Sequence, residues 1–371
     1  MSIRTNFSPI PIRNATTRKK HIHTVNSGTY GCVYRPALRC RNKTRSKPRH
    51  VSKLMNVQDA KEEIQHYENI THLDPHYHFH LKISDTCIPN KADFNAMLRC
   101  DSERVQRFTH TRDSDLDQLK LLVIKDGGVD LDDAEPVLRS MDLNHLHRFF
   151  KECTRLLEGI VTVHAANYCM SDIKPNNIVY DAAQNRVNYI DFGTLCRLTD
   201  YIGVLDHYND FTFFHNYPLE SYFLLRSGAH YGEQMLEGTA VNMSRIASKS
   251  ERTNRMSSTS SKKASVEFHQ VVEHIARQNK RLKATRIIKD YEAMVQKMKT
   301  FAYIDFVSWC IHRVDVYQLG ITFMGILDVL NTGPLYNKLY KLFYDMMHPN
   351  VFKRILPEQA LTRYRDIMNE I

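Results

Sequence analysis

A mixed α and β chain with two lobes is the fold this sequence predicts, and three observations carry it. At 371 residues the chain is long enough for two separate cores. Its first third alternates like strands around glycine turns, while later segments have helical periodicity. A hydrophobic fraction of 42% with 25% charged residues is that of an ordinary globular protein, so disorder is confined to particular segments.

Residues 1–20 read as a basic, loosely ordered lead-in. From His21, HIHTVNSGTYGCVYRP reads as strand, glycine turn, strand. Basic residues recur from Arg39 to Arg49; a solvated loop accounts for them, and a docking strip for phosphates or an acidic surface is the alternative. VQDAKEEIQHYENI is a helix with Ile64, Tyr67 and Ile70 on one side. THLDPHYHFHLKI then alternates as a strand, with Tyr77, Phe79 and Leu81 on one face and His76, His78 and His80 on the other. An exposed face explains those histidines; a metal site would want an acidic or cysteine ligand beside them.

LKLLVIK from Leu119 is a buried strand closed by Asp126-Gly127-Gly128. The stripe Leu146, Phe150, Cys153, Leu157, Ile160 and His164 predicts one long helix. NIVYD and RVNYID form a hairpin about Gln184 and Asn185. The Ser-rich, basic stretch from Ser244 to Ser265 cannot bury enough surface to order itself. After it, Phe268, Val271, Ile275, Leu282, Ile287, Tyr291, Met294 and Met298 predict a long amphipathic helix. VDVYQLGITFMGILDVL is apolar nearly all round, as in a helix at the centre of a core.

The eight cysteines include no CxxC pair, so no zinc cluster or redox motif is indicated, and reduced thiols are the expectation. No apolar stretch is long enough for a bilayer, no signal peptide opens the chain, and a cytoplasmic location follows as the expectation. The net charge of +10 invites acidic or nucleic-acid contacts, although much of the excess lies in two segments that read as insertions.

Asp172, Lys174 and Asn177, in MSDIKPNNIVY, stand nineteen residues ahead of Asp191 at their widest, and Asp191 opens Asp191-Phe192-Gly193. Phosphoryl transfer needs a phosphate cover, charge neutralisation, a metal and an oriented hydroxyl, and this chain has candidates for each. NSGTYGCVY, with Asn26, Ser27, Gly28, Thr29, Tyr30 and Gly31, would cover the phosphates, and Val33 would pack on adenine; an ordinary hairpin is the plainer account of the same residues. Lys53 would reach the α- and β-phosphates, oriented by Glu63, with Glu62 as the fallback. Asp172 would accept the substrate hydroxyl's hydrogen bond and take its proton, and Lys174 would balance the γ-phosphate. Asn177 and Asp191 would hold Mg²⁺ through amide and carboxylate oxygens.

These residues resemble the eukaryotic-type Ser/Thr protein kinase superfamily, along most of the chain. The resemblance adds His164 before the catalytic loop, Pro218 and Glu220 closing the activation segment, Asp315 and Gly320 on the central helix, and Arg354 paired with Glu220. It implies an α+β, bilobal protein kinase fold: a small β-rich N-lobe over 21–126 and a larger, mostly helical C-lobe over 127–371, interrupted by an insertion at 221–310, with ATP between. The implied activity is ATP- and Mg²⁺-dependent phosphorylation of Ser/Thr in protein substrates. YPLE and the GG-V-D-L hinge are similar to kinases encoded by large DNA viruses, which would place the protein in the host cytoplasm or virion.

The chain departs from the family at Asn26, where a glycine is usual, and at Met170-Ser171, where the family has His-Arg. Without that arginine, activity should not depend on phosphorylation of the activation segment. The departures leave room for a pseudokinase scaffold, and a small-molecule phosphotransferase shares the ATP chemistry but not the Glu220 and Arg354 pairing. Lys262-Lys263-Ala264-Ser265 reads as a basophilic phosphorylation site at Ser265, a pattern serine-rich loops also match by chance.

Overall fold

Strand alternation and glycine turns do organise the first part of the chain. In the computed structural model, which describes residues 22–109, 115–207, 216–224, 272–298 and 300–370, β1 (His23–Gly28), β2 (Gly31–Arg35), β3 (His50–Asn56), β4 (Ile83–Cys87) and β5 (Leu119–Lys125) form one antiparallel sheet. Its order is β1-β2-β3-β5-β4. The architecture is mixed α+β, and two compact units divide it: residues 22–60 with Ser84–Ile124, and Lys61–Ile83 with the chain from Lys125 onward.

In the first unit, one sheet face packs Tyr34, Leu54, Leu119, Leu121 and Val123 against Met97 and Val105 from the segment between β4 and β5. Two disulfides, Cys32–Cys100 and Cys40–Cys87, staple that segment and the β4 end to β2 and the loop after it. Reduced thiols are therefore the wrong expectation for four of the eight cysteines. A test for close-spaced pairs addresses metal and redox motifs, whereas these partners lie 68 and 47 residues apart and meet only through the sheet.

Helix α1 (Val57–Leu73) follows β3 directly. The stretch after it is not the strand its alternation predicts. Asp74 accepts the amides of His78 at 2.8 Å and Phe79 at 2.9 Å and the Nδ1 of His80 at 2.9 Å, coiling the chain into turns in which Tyr77 has a φ of +53°. Asp-Pro turn chemistry thus overrides a period-two pattern. His80 is buried, not on an exposed face, and Thr71 Oγ1 lies 3.2 Å from its Nε2.

In the second unit the predicted long helix is two, Leu143–Glu152 and Thr154–Ala165, meeting at Cys153, with the whole predicted stripe buried. After β6 (Val129–Asp130) and β7 (Tyr168–Cys169), the hairpin forms from β8 (Ile178–Asp181) and β9 (Arg186–Tyr189), with Asn185 at a φ of +46° in its turn. Helix Val314–Ile326 is buried on nearly every side, Asp315 and Gln318 included. The amphipathic stretch is interrupted ahead of helix Ala284–Met298. There Asn279 Oδ1 accepts the Arg281 amide while its Nδ2 donates to Asp328 and Tyr336, so side-chain bonding replaces helix. Phe268, Val271, the Ser244–Ser265 stretch and Ser265 lie outside the described residues, as does the lead-in. No described helix is long and apolar enough to cross a membrane.

Candidate functional site

The sheet register gathers three of the predicted residues in the first unit. Asn26 lies opposite Val33, and Val33 lies opposite Lys53, so the three form a row across β1, β2 and β3. Residues directly opposite in antiparallel strands share a face, which puts a polar side chain, an apolar one and an ammonium side by side. A bulge between Thr24 and Asn26 sets that register. Gly28 and Gly31 close the hairpin, with Thr29 and Tyr30 at its tip.

The two glycines do different work. A Cβ at Gly28 would meet nothing nearer than 4.0 Å, leaving the loop open to a ligand, whereas one at Gly31 would lie 2.2 Å from the Leu54 carbonyl oxygen. Gly31 is thus a packing glycine. The segment after Cys100 braces the tip: the Asp101 amide donates to Ser27 Oγ at 3.2 Å and Ser102 Oγ donates to the Thr29 carbonyl at 2.9 Å. Arg104 stacks 4.7 Å from the Tyr30 ring centre and pairs with Asp59 at 2.6 Å. Nothing local in the sequence points to this brace.

In the second unit Asp172 is a convergence point. Lys174 Nζ donates to its Oδ2 at 2.7 Å and Asn177 Nδ2 donates to the same oxygen at 3.0 Å. Asn216 Nδ2 donates to Oδ1 at 3.0 Å. Burial pushes the Asp172 carboxyl above its ordinary value of 3.8; Lys174 and Asn216 pull it back, and Asp191 adds a smaller push. A carboxylate so placed can accept a hydroxyl proton more readily than a free aspartate can.

The backbone beneath it is held from the helix Val314–Ile326. Asp315, fully buried, accepts the Met170 amide at 2.9 Å, the Ser171 amide at 2.8 Å and His164 Nε2 at 2.9 Å. Gln318 accepts the Ile173 amide at 3.0 Å and donates to the Ser171 carbonyl at 2.9 Å. Ser171 has a φ of +59°, a conformation costing of order 1 kcal/mol or more for a side-chain-bearing residue, and these bonds hold it there. The buried Ser171 hydroxyl donates to the Thr194 carbonyl at 2.9 Å.

Asp191 also has positive φ, at +63°, just past β9, and accepts the Gly193 amide at 3.2 Å. Phe192 meets Tyr67 of α1 edge-on, with ring centres 5.4 Å apart. Burial first, and the carboxylates of Glu63 and Asp191 after it, push the Tyr67 phenol well up, so Glu63, Tyr67 and Asp191 are electrostatic neighbours. Glu63 itself is buried. It belongs to the second unit and Lys53 to the first.

Among the described residues no three His, Cys, Asp or Glu side chains converge as a metal site. Asn177 spends its amide nitrogen on Asp172, at the carbonyl (2.9 Å) as well as the carboxylate, which leaves its Oδ1 for other work. With the Asp191 carboxylate that makes two hard oxygen donors, a set that fits magnesium, since this ion keeps several waters and takes its other ligands from phosphates. The histidine triplet is dispersed instead: His78 pairs with Glu158 at 2.7 Å and His80 with Asp74.

Sequence reasoning missed Asn216, Gln318 and Thr194. Asn216 precedes the recognised Tyr217-Pro218-Leu219-Glu220 run, and its adjacency to that run was the available signal. The predicted Glu220–Arg354 pair is present, with both side chains fully buried. Comparison with protein-family models and with curated proteins finds no match for this chain.

Proposed function

We propose that this chain is a protein kinase of bilobal kinase fold, transferring the γ-phosphate of ATP to Ser or Thr hydroxyls of protein substrates. The observation that carries the reading is the Asp172 carboxylate, held by Lys174, Asn177 and Asn216 on a loop pinned by Asp315. A buried carboxylate beside an ammonium suits a base that must sit next to transferring phosphate without being silenced by it.

In the second unit, Asp172 orients the acceptor hydroxyl and takes its proton as the hydroxyl oxygen bonds to phosphorus and the bond to the ADP oxygen breaks. Lys174 balances charge on the transferred group. Asn177 and Asp191 would hold Mg²⁺, which supplies charge neutralisation and geometry to the phosphates. In the first unit, Val33 offers the apolar surface for adenine, Lys53 the ammonium for the inner phosphates, and the open backbone from Asn26 to Gly28 a cover for the outer ones.

Asn26, Met170 and Ser171 favour a second reading, a nucleotide-binding scaffold without transfer. Radiolabel transfer from ATP with Mg²⁺ to basic and acidic protein substrates separates the two. Loss of transfer in Asp172→Asn, with ATP binding kept, supports the kinase. ATP binding without transfer by wild type or variant supports the scaffold.

A further inference from the structure

Two thiols of the second unit face each other: Cys169, three residues before Asp172, and Cys196, five residues after Asp191. Strands β7 (Tyr168–Cys169) and β10 (Cys196–Arg197) pair antiparallel, with Cys169 directly opposite Cys196. Their sulfurs are 3.6 Å apart. The pair is held on both sides: Thr194 Oγ1 donates to the Met170 carbonyl at 2.7 Å, and the Leu198 amide donates to the Asn167 carbonyl at 2.9 Å. Cys169 is fully buried, while Cys196 is partly exposed. Neither thiol serves the phosphoryl-transfer chemistry.

We propose that Cys169 and Cys196 form a redox modification site, which a disulfide oxidant closes into a bond tying the segment after Gly193 to the strand entering the Asp172 loop. The partly exposed Cys196 thiolate attacks one sulfur of a small disulfide such as oxidised glutathione, forming a mixed disulfide and releasing one glutathione thiolate. Cys169 then attacks Cys196 Sγ, its proton passing to the second glutathione thiolate as that leaves, and two cysteine thiols have been oxidised for one glutathione disulfide reduced. The hydrogen bond with Cys196, followed by burial, pushes the Cys169 thiol well up, which makes it the resolving partner and not the first attacker. Fixed opposition on paired strands compensates, because the second step is intramolecular. The same chain already carries two disulfides, in its first unit.

Closure must bring the sulfurs from 3.6 Å to about 2.0 Å. Met170 and Ser171, whose amides Asp315 holds, follow Cys169 immediately, so the contraction falls on the support of Asp172. Displacements of about 1 Å in such sites cost on the order of a hundredfold in rate. The effect on transfer rests on the kinase reading; the thiol pairing does not.

The test treats the full chain, wild type and Cys196→Ser, with oxidised glutathione, blocks free thiols, digests without reduction and maps linked peptides by mass spectrometry. A Cys169–Cys196 linked peptide in wild type only is expected, with phosphate transfer falling at least tenfold and returning with reduced glutathione, while Cys196→Ser keeps its rate throughout. No linked peptide, or glutathione left standing on Cys196, overturns the site. Equal losses in both proteins, or a linked form with full activity, overturn its control of the loop. A linked peptide in a protein that transfers no phosphate when reduced leaves the site standing and removes the kinase reading instead.

Discussion

Arg354 and Glu220 form a bidentate ion pair, with Nη2 3.0 Å from Oε2, in which neither side chain is reached by solvent. The guanidinium also donates through Nε to the His348 carbonyl at 3.1 Å and lies 4.6 Å from the centre of the Tyr317 ring. Each of its three nitrogens has a partner, so its worth lies in what removing one partner would strand.

Glu220→Ala and Arg354→Ala should each lower stability by about 3–5 kcal/mol, the cost of leaving one buried charge alone. Replacing both with apolar residues of matching volume should cost much less. Guanidinium-induced unfolding of the three variants checks this, and equal losses in all three would contradict it.

Asn216→Ala removes a donor to Asp172 and should raise the Asp172 pKa further above 3.8 than burial already does. On the proposed kinase reading the ionised form is the active base, so activity should fall as pH drops through that pKa, and the acid limb of kcat against pH should move upward in the variant. The stability sign is opposite. A carboxyl whose folded pKa lies above its unfolded one loses stability as pH rises from the unfolded value through the folded one, and more so in the variant. A pH–rate profile beside urea midpoints over the same range reads both.

The hairpin glycines should separate in mutagenesis. Gly31→Ala places a methyl against the Leu54 carbonyl and should destabilise by about 1–3 kcal/mol. Gly28→Ala meets open space, so its melting temperature should hardly change; on the proposed kinase reading the KM for ATP should rise. Thermal melts and ATP titration distinguish them; a similar melt for both would refute the packing role of Gly31.

On the proposed kinase reading Ser171 stands where a phosphate-receiving arginine would, and its hydroxyl is committed to the Thr194 carbonyl. Phosphatase treatment should therefore leave transfer activity within about twofold of untreated protein, since no charge-paired switch is built at that position. A loss of tenfold or more would show another receptor for such a phosphate.

Much of this was legible because it is local. The glycine hairpin, the buried strand LKLLVIK and the β8–β9 turn each announce themselves within a few residues, and Asp172, Lys174 and Asn177 keep short offsets that a turn enforces. The disulfides, the brace from Asp101 to Arg104 and the Asn216 contact were not legible, since their partners meet only after the sheet and helices have packed. The segment after α1 misled for a different reason. Its alternation is real, but one carboxylate, Asp74, collects three donors and outbids the extended conformation.

Asp315 lies 143 positions after Asp172, yet it is the group that holds the Met170 and Ser171 amides. A ribosome that has released Asp172 has not yet made the residue that shapes it. Until helix Val314–Ile326 emerges and docks, a nascent or truncated chain carries the DIKPNN motif without its conformation. A proteolytic cut anywhere between the two would separate the motif from its support in sequence, and a stop before Asp315 would leave a polypeptide with the glycine hairpin, DIKPNN and Asp191-Phe192-Gly193 but no formed loop.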